Sequence, residues 1–280
     1  MENEFIRPKA KLIIIGGAED RGEHENTSFR DDGILRRVVS ESKKGIRSRI
    51  EIITAASALP DELGRVYQNA FQILGASDIG TLSITSREAA FDVELIERLQ
   101  NTDVAFFTGG DQLRLTTVLG DTPFLKTLVS RLQEDDFLYA GTSAGAAAVA
   151  SVMIVGGRGQ SSVLKGNVKT AKGFGLIDSM TFDTHFMRRG RIGRLVQVIA
   201  ANSSVLGIGL SENTGILLWG DDCLEVVGEG SVMIVDGRSI GNTNVSEVQE
   251  GFPVSVRNLS LHVLAKGDKY DPNETKRAVE

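Results

Sequence analysis

Four short apolar runs recur through the first half of the chain, each closed by small residues. Leu12-Ile13-Ile14-Ile15 ends at Gly16-Gly17, and Ile50-Glu51-Ile52-Ile53 ends at Thr54-Ala55-Ala56. Val104-Ala105-Phe106-Phe107 ends at Thr108-Gly109-Gly110, and Phe137-Leu138-Tyr139-Ala140 ends at Gly141. Runs that are apolar at successive positions, and so on both faces of an extended chain, suit the buried strands of a parallel sheet. Between them the spacing becomes helical. Asp61 caps a predicted helix that runs to Leu74 and stops at Gly75. Over residues 88–100, Val93, Ile96 and Leu99 share one face; Thr122-Pro123 opens a further helix with Leu125, Leu128, Val129 and Leu132 as its inner stripe. Alternating strand and helix predicts an α/β fold: a mostly parallel central sheet flanked by helices on both faces. The last third reads differently. Residues 216–219, 224–227 and 232–235 are short β-like runs with turn residues between them, which predicts antiparallel hairpins attached to the main sheet. Residues 1–265 are expected to form a single domain and residues 266–280 a loose polar tail.

Composition narrows the class without naming a chemistry. With 280 residues, 41% of them hydrophobic, the chain is long enough to bury one large core. A net charge of -6 argues against a general nucleic-acid binder, which carries a basic face. Cys223 is the single cysteine, so no intramolecular disulfide forms, and one Cys with three His does not suit a Cys/His zinc site. The start, Met1-Glu2-Asn3-Glu4-Phe5, lacks the basic and apolar regions of a signal peptide, and no apolar stretch approaches the roughly 20 residues that span a bilayer. The expectation is a cytoplasmic protein with no membrane segment.

The chemistry gathers around Gly141-Thr142-Ser143-Ala144-Gly145. A G-x-S-x-G pentapeptide is short enough to arise by chance, and small residues also suit a corner that serves packing alone. Its context points further. An apolar strand precedes it and Ala146-Ala147-Ala148-Val149-Ala150, a helix start, follows. A serine at that corner stands at the C-terminal edge of the sheet, where open α/β folds place their sites, and the Ala144 N–H faces the same space. Three histidines could act as its base. His24 lies in a charged loop and His262 on one face of a late strand. His185 ends a strand-like segment and is followed by Arg188, Arg189, Arg191 and Arg194, which makes it the base of choice. Residues 189–201 read as helical with Ile192, Leu195, Val196 and Ile199 inward. Arg188, Arg189 and Arg191 then fall in its first turn, where the helix dipole disfavours cations. A solvated face is the ordinary explanation of such a run, yet guanidinium groups beside a catalytic base also suit an acidic substrate. Asp183 and Glu212 both stand near strand ends as candidates for the third member, and spacing does not choose between them.

Taken together, five segments resemble the cyanophycinases, serine peptidases related to the aspartyl dipeptidases. They are Gly16-Gly17-Ala18-Glu19-Asp20, Phe107-Thr108-Gly109-Gly110-Asp111-Gln112, Gly141-Thr142-Ser143-Ala144-Gly145-Ala146, Asp183-Thr184-His185-Phe186 with its arginines, and Leu210-Ser211-Glu212-Asn213-Thr214. The resemblance implies Ser143 as nucleophile, His185 as base and Glu212 as its partner. It implies an oxyanion hole from the Gly110-Asp111 corner and Ala144, and substrate contacts at Gln112, Asn167, Asp183, Thr184, Arg189, Arg191 and Arg194. Thr184 stands where that family commonly has Gln. The implied substrate is cyanophycin, a poly-aspartate with arginine on each β-carboxyl, cleaved to β-Asp-Arg dipeptides by a homodimer without metal or other cofactor. Two other readings remain at this point: a dipeptidase of the same fold acting on small aspartyl peptides, and a non-catalytic anion-binding homologue.

Overall fold

In the computed structural model, which describes residues 7–23, 28–157 and 160–274, the apolar runs lie side by side. They form β1 (Lys11–Ile15), β2 (Arg49–Ile53), β4 (Val104–Phe107) and β5 (Leu138–Thr142), joined by β3 (Asp78–Leu82) at the sheet edge. The edge position explains why β3 carries no apolar run: one side of it has no neighbour to cover it. Pairing is parallel through β1, β5, β4, β2 and β3. Strand alternation then divides the core in two. Ile13, Ile15, Ile50 and Ile52 face α2 (Ile34–Glu41) and α3 (Pro60–Ile73), which follow the short α1 (Ser28–Asp32) and present Ile34, Leu35, Val38, Tyr67 and Phe71. Leu12, Ile14, Ile53, Phe107 and Tyr139 face the other way, onto Leu99 of α4 (Val93–Gln100), Leu115 of α5 (Gln112–Leu119), Phe124 and Leu128 of α6 (Pro123–Arg131) and Ala144 of α7 (Ala144–Ala147). Each of the larger side chains contributes roughly 1.5–3 kcal/mol by leaving water. Helices therefore cover both faces, as the alternation implied.

The helices differ from expectation at their starts. Residues 88–100 break into a 3₁₀ turn (Glu88–Phe91) and α4, because the Asp92 carboxylate accepts from the Glu94 N–H and caps a new helix there. Val93 is thereby a first-turn residue and is exposed rather than inward. The helix after Thr122 forms as expected, with the Thr122 hydroxyl capping Leu125, but Val129 faces solvent. The helix expected over residues 189–201 begins at Ile192, so the arginines before it lie in the preceding turn and Ile192 is exposed.

A hairpin of β6 (Val152–Gly156) and β7 (Lys169–Lys172) follows α7. The chain then builds a second sheet from β8 (Met180–Asp183), β9 (Leu206–Leu210), β12 (Val232–Asp236) and β15 (Ser260–Leu264), in the order β15-β12-β9-β8. The helix α8 (Ile192–Ala201) packs Leu195 and Ile199 against its Val235. Between these strands the chain returns to the main sheet as the hairpin of β10 (Thr214–Trp219) and β11 (Cys223–Gly228), antiparallel to β1. Residues 216–219 and 224–227 thus join the main sheet as expected, whereas residues 232–235 belong to the second one. A two-stranded ribbon, β13 (Asn242–Thr243) with β14 (Val256–Arg257), lies between β12 and β15 in sequence. Part of the expected tail is ordered by pairing: β16 (Lys269–Tyr270) adds to β11 as the far edge strand. Among the described residues no helix is long and apolar enough to cross a membrane.

Candidate active site

Two pairs of parallel strands end at one place. In the main sheet β1 and β5 run in register, Ile15 beside Thr142, so Gly16 and Ser143 emerge together. In the second sheet β8 and β9 run in register, Asp183 beside Gly209, and His185 and Glu212 each follow two residues after their strands end. The segment Ser211-Glu212-Asn213 carries the chain from one sheet to the other, since β10 starts at Thr214.

Ser143 occupies the corner between β5 and α7 with φ 51° and ψ -101°, a backbone region that L-residues avoid. Its N–H donates to the Ile15 carbonyl at 3.0 Å, which holds the corner against β1. The flanking glycines are there for close approach. A methyl group on Gly141 would stand 2.7 Å from the Gly145 backbone, and one on Gly145 would stand 2.5 Å from the Phe107 carbonyl oxygen. Ser143 Oγ lies 3.1 Å from His185 Nε2, and His185 Nδ1 lies 2.7 Å from Glu212 Oε1. A carboxylate beside Nδ1 places the ring proton there and leaves Nε2 to accept from the serine hydroxyl. His185 is also a positive-φ residue, at 51°, and its N–H donates to the Gly16 carbonyl at 2.8 Å. Gly17 lies flat against its ring, where an added Cβ would be 2.6 Å from Nε2. The second oxygen of Glu212 accepts from the exposed Arg188 at 2.8 Å. Partial burial pushes the Glu212 carboxyl up, but the hydrogen bonds and charges of Arg188 and His185 outweigh it and hold the group below its ordinary value.

The oxyanion candidates divide. The Ala144 and Gly110 N–H groups have no acceptor among the described residues. Asp111 uses its N–H on the Ala56 carbonyl at 2.9 Å, and its side chain caps α5 by accepting from Leu113 and Arg114. It fixes the corner rather than offering a free donor. Gly109 packs beside the serine, with an added Cβ 3.4 Å from Ser143 Cβ.

The arginine series also divides. Asp183 is fully buried and accepts from Arg194 on both oxygens and from Arg191 at 3.3 Å. Arg191 further donates to the Thr184 carbonyl at 2.5 Å and Arg194 to Gly157 at 3.2 Å. Burial pulls the Arg191 guanidinium down to about 10, against Asp183 and helped by the Arg194 and Arg189 charges, so it is a cation at neutral pH. These two arginines are consumed by an internal ion cluster beneath Thr184, which is itself buried. Arg189 is exposed and makes no ion pair among the described residues. Gln112 donates to the Ile154 carbonyl at 3.2 Å, and the exposed Asn167 donates to the Ser161 carbonyl at 2.9 Å, so both amides are turned to backbone carbonyls. His262 sits on β15 opposite Ile234, and His24 lies outside the described residues. Among the described residues no group of three or more His, Cys, Asp and Glu side chains is placed to hold a metal.

Two features went unassigned in the sequence. Arg188 pairs with Glu212, and the Gly16–Asp20 loop touches the neighbourhood of Ser143, His185 and Glu212 at once. The signal for the loop was present, as a double glycine ending the first strand, but its partners at this site lie more than a hundred residues away.

The description "Peptidase family S51" matches residues 12–226 of the chain. A cyanophycinase of Synechococcus elongatus is 36% identical over 265 residues, covering 94% of this chain and 79% of that protein. One from Geminocystis herdmanii is 35% identical over 94% of both chains, and one from Trichormus variabilis is 37% identical over 94% of this chain and 85% of its own. Among solved structures, a peptidase from an acI-B1 actinobacterium superposes with a TM-score of 0.66 at 20% identity, over 95% of this chain and 98% of its own. A putative peptidase E protein from Listeria monocytogenes gives 0.52 at 16% identity, over 78% and 98%. At those identities the likeness is one of fold.

Proposed function

Because the chain belongs to peptidase family S51, we propose that it is a serine peptidase that hydrolyses the poly-aspartate backbone of cyanophycin and releases β-Asp-Arg dipeptides. The observation that carries the chemistry is the unbroken line from Ser143 Oγ to His185 to Glu212, built on a strained corner. The substrate rests on the cyanophycinases that are 35–37% identical over 94% of the chain.

In this reading Ser143 Oγ attacks an aspartyl carbonyl while its proton passes to His185 Nε2. Glu212 orients the imidazole and offsets the charge it acquires. The Ala144 and Gly110 N–H groups receive the oxyanion, each worth about 3–4 kcal/mol of transition-state stabilisation in comparable sites. His185 then protonates the leaving amine. Water, deprotonated by the same imidazole, attacks the acyl-enzyme and frees Ser143. Arg189, the exposed member of the arginine series, supplies a cation for substrate carbonyl or carboxylate groups. Arg191, Arg194 and Asp183 hold the wall on which His185 stands. The active form is a homodimer, as the resemblance to the cyanophycinases implies; light scattering on the purified protein reads this directly.

The test is digestion of insoluble cyanophycin followed by mass analysis. β-Linked dipeptides support the reading, whereas free aspartate from small aspartyl peptides, with polymer untouched, replaces the substrate. Ser143→Ala is expected to stay folded and to lose about 10³- to 10⁶-fold in turnover. Undiminished turnover by that variant ends the serine mechanism.

A further inference from the structure

The loop Gly16–Asp20 leaves β1 and meets His185 itself and the chain neighbours of the other two members of the hydrogen-bonded line, Thr142 before Ser143 and Asn213 after Glu212. Its Gly16 carbonyl accepts from His185 N–H, and Gly17 lies against the His185 ring. The Gly17 carbonyl accepts from Asn213 N–H at 2.9 Å, and Asp20 N–H donates to Asn213 Oδ1 at 3.0 Å, which pins the residue after Glu212. Toward Ser143 the loop sends a side chain. Glu19 is 4% exposed, and its Oε2 accepts from the Thr142 hydroxyl at 2.6 Å; Thr142 immediately precedes Ser143. Its other oxygen accepts from the Tyr67 hydroxyl of α3. Burial, with the adjacent Glu19 carboxylate, pushes the Tyr67 phenol well above its usual value, so Tyr67 remains a neutral donor. The Tyr67 ring is in turn packed on Phe106 of β4 at a centroid distance of 4.8 Å.

A buried carboxylate with two hydroxyl donors is costly unless its geometry is fixed, and here it is fixed from opposite sides. One donor belongs to the rigid helix layer and the other to the residue whose carbonyl carbon starts the strained corner. We infer that Glu19 is a positioning residue for Ser143: it clamps the Thr142 hydroxyl to the loop that braces His185 and Asn213, and so sets the register of Oγ against the imidazole. Glu19 does not touch substrate. Its action passes through Thr142. The inference rests on Ser143 being the nucleophile and adds the buried clamp behind it.

The clamp is testable without the polymer. An alkyl fluorophosphonate reports the corner directly, because Ser143 Oγ bonds to phosphorus, its proton passes to His185 Nε2 and fluoride leaves. Wild-type enzyme that resists labelling removes the nucleophile reading, and the clamp with it. Given labelling, Thr142→Val keeps the side-chain shape and deletes the hydroxyl; the rate should fall about 10- to 100-fold, the size expected when reacting atoms are displaced by an ångström or less. Thr142→Ser restores the hydroxyl and should recover most of that rate. With peptide substrate the loss should fall on kcat while KM holds, since binding groups lie elsewhere. Glu19→Gln, which leaves one of the two hydroxyls facing an amide NH₂, should slow labelling as well and serves if Thr142→Val does not fold. Wild-type labelling rates in folded Thr142→Val or Glu19→Gln overturn the inference. So does a Thr142→Ser variant as slow as Thr142→Val, because bulk rather than the hydroxyl would then be responsible.

Discussion

Gly17 and Glu212 show how single side chains set this site. An added methyl on Gly17 would stand 2.6 Å from the His185 ring, on a backbone with φ +98°. Gly17→Ala is therefore expected to displace the imidazole and to lower the fluorophosphonate labelling rate, and kcat with substrate, about 100-fold. Arg188→Ala acts on the far side of Glu212. The carboxyl is held below its ordinary value of 4.5, so the stability it contributes is present above that value and is lost as pH falls through the lower, folded one. Removing Arg188 raises the folded value toward the ordinary one. The variant should be slightly less stable than wild type at neutral pH, and the difference should vanish on acidification and shrink in high salt, because Arg188 is exposed. Urea unfolding at several pH values checks both.

At the level of elements, the turn between β8 and α8 decides which arginines are free. The sequence shows Arg188, Arg189, Arg191 and Arg194 around the start of a helix and cannot tell a solvated face from an anion site or an internal cluster. Folding divided the four among three answers: Arg188 to Glu212, Arg191 and Arg194 to Asp183, Arg189 to solvent. Asp183→Asn leaves two largely buried guanidiniums poorly matched and should cost about 3–5 kcal/mol in equilibrium unfolding, as breaking a buried ion pair does. Arg189→Ala should stay within about 0.5 kcal/mol of wild type in the same experiment, as surface substitutions do, while KM for cyanophycin rises. Equal destabilisation by both variants would refute this division.

Across the whole molecule, the site is where two sheets meet, and the last strand closes the edge of the larger one. Lys269–Tyr270 pair with β11, the Tyr270 ring lies 5.3 Å from that of His262, and Arg238 donates to the Pro272 carbonyl at 2.7 Å. A chain ending at residue 265 should unfold at a lower temperature and aggregate more readily, since β11 becomes an open edge. Differential scanning calorimetry and light scattering read the two effects. The segment looked like a tail because two pairing residues leave no periodicity. What the sequence determined by itself was local: buried strands from doubly apolar runs, and the strand-to-helix corner at Ser143 from its small residues; His185 was a choice among three histidines, made on its place at a strand end. Resemblance, not spacing, chose Glu212 over Asp183. Tertiary structure decided everything that depends on contact between distant segments. It sent residues 232–235 to a second sheet, used the Asp111 N–H on Ala56, and placed Glu19 behind Thr142, 123 residues on. Periodicity reports which face of an element is covered; it does not report by what, and a buried carboxylate and a solvated one are written with the same letter.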